Sequence, residues 1–194
     1  AATKRVHPQA KLVIGHSLAG GYYFDITGVE AFDARVVERL EQEMKHLVEE
    51  NLPLTAQYMS LREAIELFEH CGMTEKVRLL KRLYYHDVQV FTLGDFCDMP
   101  IGPLAATTGQ LKRFKLIHYP PGMVLRFPDK RSIDRMSEKA DQTRLFAVYH
   151  ESKKWSKIIG IENVGDLNEM VAQKRIAECI QVAEGLHEKK IAHV

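Results

Sequence analysis

The spacing of apolar positions divides this chain into a mixed first part and a wholly helical last part. Short apolar runs at Lys11–Gly15 and Tyr22–Ile26 predict two strands, joined by a turn of small residues from His16 to Gly21. The period then changes. Val36, Val37, Leu40, Met44, Leu47 and Val48 recur at helical spacing behind Asp33, a residue suited to capping a helix, and Asn51 and Pro53 end the segment. Leu54–Met59 predicts a strand. Ser60 with Glu63 has the form of a capping box, opening a helix whose apolar face is Ala64, Ile65, Leu67 and Phe68, with Gly72 as its stop. Thr74 starts another helix, with Val77, Leu79, Leu80 and Leu83 inward.

Val88–Leu93 predicts a strand from its β-branched and aromatic content, and a loop rich in Gly, Pro and Asp follows from Gly94 to Leu104. Leu111–Tyr119 mixes basic and apolar residues as a half-exposed strand does. Pro120-Pro121-Gly122 turns the chain into a return strand, Met123–Phe127, giving an antiparallel hairpin. From 128 to 141 the residues are polar and charged without an apolar period, which predicts a linker. Beyond it, Leu145, Val148, Tyr149, Trp155, Ile158 and Ile159 mark a helix stopped by Gly160. Val164-Gly165-Asp166-Leu167 opens a short helix, and Ile176, Cys179, Ile180, Val182 and Leu186 mark a third. The expected architecture is α+β, an antiparallel sheet with packed helices over 1–127, then the linker, then a small α-helical appendage over 142–194.

Composition narrows the picture little. At 194 residues, 45% hydrophobic and 27% charged, the chain suits one domain with an appendage. A net charge of +1 gives no global field to recruit nucleic acid or an anionic membrane. Its apolar runs are much shorter than the roughly 20 residues of a membrane span. The three cysteines, Cys71, Cys97 and Cys179, are far apart and form no C-x-x-C pair, so a reducing cytoplasm is the expected setting. Ala1-Ala2 without an initiator Met is read as the start of a fragment.

Several stretches, in order, carry a family resemblance. Pro8-x-Ala10-Lys11-Leu12, Gly20-Gly21-Tyr22-Tyr23-Phe24-Asp25, Glu43-Met44-Lys45 through Asn51-Leu52-Pro53, and Arg62-Glu63-Ala64-x-Glu66-Leu67-Phe68 all take part. So do Gly94-Asp95-Phe96, Asp98, Gly102 and Pro103. Together, over roughly residues 3–120, they resemble the second additional domain of threonyl-tRNA synthetase, a domain also present in alanyl-tRNA synthetase and in free-standing editing proteins. Val164–Glu169 and Ala183–Ala192 resemble instead the segment that leads into the kinase module of uridine kinase and phosphoribulokinase-like proteins. That second likeness implies a parent that uses ATP and Mg²⁺ in a P-loop module after Val194. No cofactor is expected in the residues given.

In editing members of the resembled family, an H-x-x-x-H helix and a C-x-x-x-H loop hold a metal. The resemblance sets the helix before Ala1 and sets the loop ligands at Pro100 and Leu104. Proline and leucine offer no N, S or O side-chain donor, and zinc usually takes four such ligands. No metal ligand and no catalytic residue is therefore expected. The expected pocket residues are Tyr22, Tyr23 and Asp25 on the strand that faces the cleft in the resembled domain, Lys76, and Asp95 and Asp98 in the loop. A lysine with two or three acids can orient a polar ligand or hold a water, but it can equally be a surface ion pair of small net value.

Two basic groups, Lys112-Arg113-x-Lys115 and Arg78, Lys81 and Arg82, are candidate phosphate contacts, although no aromatic platform interleaves with them. The expected function is an accessory region that positions substrate, regulates or assembles a larger kinase. The alternatives are an aminoacyl-tRNA deacylase and a module that binds a nucleotide or a tRNA acceptor end. Expected partners are the downstream kinase module and, through the apolar helical tail, a second copy of the chain; a membrane is not among them.

Overall fold

In a computed structural model, the structure describes all residues except 19–20, 101, 130–131, 137–142 and 192–194. Gly20 of the resembling segment, Ile101 in the loop, 130–131 and 137–141 of the expected linker and Ala192 therefore lie outside the described residues. The fold is α+β, with antiparallel sheets, packed helices and a helical C-terminal part, as the spacing predicts. The chain forms two compact units, one of residues 1–57 and 89–145, the other of residues 58–88 and 146–194.

The first unit opens with a short helix, α1 (Ala2–Val6), before strands β1 (Lys11–Leu18) and β2 (Gly21–Thr27). The β1 strand runs three residues beyond its expected end, because a bulge between Ile14 and Ser17 absorbs the irregular stretch. Helix α2 (Ala34–Glu49) begins at Asp33, whose Oδ1 accepts from the Val36 amide at 3.0 Å. Strands β6 (Lys115–Tyr119) and β7 (Gly122–Arg126), numbered after three strands described below, complete a four-stranded antiparallel sheet of order β1-β2-β7-β6. The expected strand from Leu111 begins only at Lys115, because Thr108–Gln110 form a 3-10 turn whose exit occupies 111–114.

Register decides which residues meet. Phe24 pairs with Met123, Tyr22 with Leu125 and Leu116 with Leu125, so these side chains share one sheet face with Ile26. On that face Ile26, Leu116 and Met123 are buried against Val37 and Leu40 of α2, with Phe24, Val36, Met44 and Leu125 packed around them. Leu116 N also donates to Glu41 Oε2 at 2.8 Å, which ties α2 to the edge strand β6. The opposite face carries Tyr23 and Val124, both almost wholly buried. Gly122 is required beside them, since a Cβ there would lie 2.0 Å from Phe24 O and 2.8 Å from Tyr23 Oη.

Strands β3 (Thr55–Ser60), β4 (Asp87–Leu93) and β5 (Phe96–Asp98) form a second sheet in that order, and the boundary between the units falls within β3 and β4. The polar stretch read as a linker contains a small two-stranded sheet, β8 (Pro128–Asp129) with β9 (Ser132–Met136). Backbone pairing forms it without any apolar period, which is why the side-chain pattern does not announce it.

The second unit contains α3 (Leu61–His70), α4 (Thr74–Leu80), α5 (Thr143–Ile159, from Phe146 onward), α6 (Val164–Ala172) and α7 (Ile176–Ile191). The Ser60/Glu63 capping box is present, and Gly72 at φ 67 and Gly160 at φ 76 follow the ends of their helices. A second capping box, Asn163 with Asp166, starts α6. Ala64, Phe68, Val77, Leu80, Phe146, Tyr149 and Met170 are buried here. Among the described residues no helix is long and apolar enough to cross a membrane.

Burial raises the carboxyl of Glu41, but the bonds from Lys45 Nζ and Leu116 N outweigh it and hold the group below its ordinary 4.5. A carboxyl depressed on folding stabilises above the unfolded value and loses that contribution as pH falls through the folded one. Glu41→Ala should therefore cost about 1.5–3 kcal/mol near neutrality, the range for hydrogen bonds to a charged group. In urea unfolding, the gap to the native chain should narrow at pH 3; a gap unchanged there would contradict the assignment.

Candidate functional site

The segment expected to be a loop from Gly94 begins as a hairpin. Strand β4 returns as β5 with Leu93 opposite Phe96, Thr92 opposite Cys97 and Phe91 opposite Asp98. Only Gly94 and Asp95 remain as the connection, and Gly94 takes φ 57, which a glycine adopts without steric cost. Cys97 is buried while Phe96 and Asp98 are half-buried, the alternation of a short strand. The irregular part starts at Met99, whose amide donates to Asp98 Oδ1 at 2.7 Å. Pro100 is half-buried, and Leu104 is 40% exposed.

The course of the chain after Leu104 is set by the end of α2. Leu54 N donates to Ala106 O and Thr108 N to Leu52 O, each at 2.9 Å, with Pro53 bridging Thr107 between them. Thr108, 4% exposed, donates its hydroxyl to Leu47 O at 2.5 Å and accepts from Leu52 N at 2.9 Å. It closes off the last turn of α2, where Asn51 sits at φ 49. Gly109 is fitted to the same corner, since a Cβ would fall 2.2 Å from Asn51 Oδ1. Sequence reading passes over Thr108 because it follows Thr107 in a stretch without an apolar period, where nothing marks one threonine from the other.

Within the first unit, Tyr22 is parted from Tyr23 and Asp25 by the sheet. Neighbours on β2 point to opposite sides, so Tyr22 shares a face with Phe24 while Tyr23 and Asp25 share the other. Tyr22 is 44% exposed, its ring 5.6 Å from that of Phe127; Tyr23 is fully buried and Asp25 half-buried. Asp95 lines a cavity of about 300 Å³ with Ala1, Lys4, Arg5, Leu93 and Phe96. Asp98 is half-buried at the end of β5. Lys76, half-buried on α4, belongs to the other unit. Among the described residues, no three His, Cys, Asp or Glu side chains are grouped to hold a metal ion.

Three of the cations tie helices together. Arg5 donates to Glu50 at 2.7 Å and Glu43 at 3.1 Å, and these bonds raise its pKa further, fixing α1 on α2. Arg78 reaches Glu169 at 2.5 Å and Asp166 at 3.0 Å, joining α4 to α6, and Lys81 pairs with Glu69 at 2.9 Å. Two of the three cations proposed for phosphate contact in that group are thus partnered by carboxylates. Tyr84 and Tyr85 follow the group and are strongly exposed, aromatic surface that helical spacing gave no reason to place outside.

A second, larger cavity of about 1050 Å³ lies wholly within the first unit. Leu40, Met44, Leu47 and Val48 of α2 form one wall, and Phe24, Leu116, Met123 and Leu125 of the sheet form the other. The segment Leu111–Phe114 borders it. None of the six expected pocket residues lines it.

With this geometry in view, the relatives can be set beside it. The chain is 37% identical over 118 residues to the threonine–tRNA ligase of Carboxydothermus hydrogenoformans, covering 60% of this chain and 19% of the relative. It is 38% identical over 116 residues to that of Maridesulfovibrio salexigens, covering 60% and 18%. Against that of Pelobacter propionicus it is 34% identical over 159 residues, 79% of this chain and 25% of the relative. The chain thus spans about a fifth to a quarter of the length of the curated relatives it matches. No family model matches it. The similarity is thus to one part of threonine–tRNA ligases, and these matches do not bear on a kinase.

Replacing Thr108 with valine keeps the shape and removes the hydroxyl, leaving Leu47 O and Leu52 N without this partner. Thr108→Val should destabilise by about 1–3 kcal/mol, the cost of buried polar groups left unpaired. Hydrogen exchange should quicken at Leu52 and Thr108 before the amides of β7. Unchanged exchange at both positions would show that the threonine does not hold this corner.

Proposed function

We propose that this chain is a synthetase-like accessory domain that keeps an editing-domain scaffold without its metal chemistry, and that it serves a larger ATP-dependent phosphotransferase of the uridine kinase or phosphoribulokinase type. Its work there is to position substrate, to regulate or to assemble, in a cytoplasmic protein. The observation that carries the first part is the identity of two side chains. Pro100 and Leu104 stand where the resemblance sets metal ligands, and neither has a donor atom for zinc. The residues present therefore do not fit that metal, and no reaction step is assigned to it.

The phosphotransferase part rests on the resemblance of Val164–Glu169 and Ala183–Ala192 to a kinase lead-in. The first stretch falls on α6, and the described part of the second falls on α7. ATP and Mg²⁺ would act in the kinase module rather than on these residues. A phosphate-binding loop G-x-x-x-x-G-K-[ST] should follow Val194 in the gene, because its backbone N–H groups and lysine hold the phosphates. A downstream reading frame without one would end this part of the proposal.

A second reading is favoured by the relatives, which are threonine–tRNA ligases. On it the domain binds a tRNA acceptor end, or deacylates a mischarged one. A deacylation assay on mischarged tRNA separates the two. The native chain and the Lys76→Ala and Asp98→Ala variants should all release amino acid at the uncatalysed rate. Turnover by the native chain that either variant abolishes would establish the second reading against the first.

A further inference from the structure

The basic group at the end of α4 has in the structure what its sequence lacks, an aromatic neighbour. Tyr84 is 101% exposed and Tyr85 67%, and both follow Arg82 on the segment that joins α4 to β4. All of these residues belong to the second unit. The segment is tied on both sides of the pair. Leu83 N donates to Leu80 O at 3.0 Å before it, and His86 O accepts from Leu61 N at 2.9 Å after it. A tyrosine ring is a large, stiff contact surface, and a segment pinned at both ends has little order left to lose on binding.

The groups around the pair select the partner. Arg82 is exposed and pairs with no carboxylate among the described residues. Glu69 is taken up by Lys81 at 2.9 Å and Glu169 by Arg78 at 2.5 Å, and the Lys81 ammonium, still exposed, has further N–H groups to donate. Asp87 is the one acid between 81 and 87. The core of a protein interface sets its aromatic rings in apolar surface with few charges. Here the exposed neighbours are Lys81, Arg82 and His86, while Leu83 is half-buried. Ring faces beside a few phosphate donors are the elements that recognise a single-stranded nucleic acid. We propose that the segment 82–86 binds such a strand, with bases stacked on Tyr84 and Tyr85 and flanking phosphates on Arg82 and Lys81. At most two phosphates are met, so stacking carries the affinity and charge adds little. The site needs neither an acceptor stem nor an aminoacyl ester. It therefore goes beyond both readings above, and its failure leaves them as they are.

The test uses the 194-residue chain with labelled hexauridylate and hexathymidylate, followed by fluorescence anisotropy. Both should bind saturably and with similar affinity, since a ring face and a phosphate donor read neither base edges nor the 2′-hydroxyl. The logarithm of the binding constant should fall with that of salt at a slope no steeper than about −1.5, the value for two phosphates of a single strand. Y84A/Y85A should weaken binding by about fivefold or more, with an unchanged thermal melt because both side chains are exposed. Y84F/Y85F should bind like the native chain, since the ring and not the hydroxyl makes the contact. R82E should weaken binding and flatten the slope by about 0.7. A duplex of equal length should compete poorly, its bases being already stacked on one another. With ring-labelled tyrosine, the signals of Tyr84 and Tyr85 should move on addition, and those of the buried Tyr23 and Tyr149 should not. Absence of saturation, a duplex that competes equally, a slope twice as steep, or full affinity in Y84A/Y85A would each overturn the proposal. So would a dimer, seen by light scattering, that Y84A/Y85A dissociates while neither hexamer binds, because the pair would then serve a protein contact.

Discussion

The first unit depends on α2 lying across one face of the four-stranded sheet. Strand periodicity gives that face Phe24, Ile26, Leu116 and Met123, and an amphipathic helix is the element that covers it. One polar contact sets where the helix starts, and two tie it to the rest of the unit. Asp33 caps its start, Glu41 accepts from the backbone of the edge strand at its middle, and Thr108 closes its end. Apolar burial favours contact but has no direction, so these bonds decide position.

The third of these contacts reaches furthest. Through Pro53–Thr107, Leu54–Ala106 and Leu52–Thr108 it draws the chain after Leu104 against the end of α2. The path of that segment is therefore set by backbone bonds and one buried hydroxyl, whatever side chains stand at 100 and 104. The same economy applies to charge: Arg5, Arg78 and Lys81 serve helix-to-helix ties, which lowers the local field that a polyanion would meet.

Element types and most ends were legible because they rest on local chemistry. Asp33, Ser60 with Glu63, Gly72 and Gly160 act within a few residues of themselves, so their roles can be read one-dimensionally. What was hidden depends on pairing at a distance. The Gly94 segment reads as a loop until β5 is seen to return on β4, and 128–136 reads as polar linker until its backbone pairs. The candidate site was legible in part. Residue identities at 100 and 104 are plain in the sequence, but the division of Tyr22 from Tyr23 and Asp25 follows from strand geometry. Thr108 and the cavity under α2 follow from tertiary packing alone.

The central proposal is that a synthetase-like scaffold persists here without the ligand set of a metal-dependent editor. Metal analysis tests it most directly. The purified chain would be saturated with zinc, dialysed against metal-free buffer and assayed for zinc per chain by mass spectrometry. The account predicts zinc well below one equivalent, with an unchanged thermal melt before and after dialysis. One tightly retained zinc per chain, stabilising the fold, would contradict it.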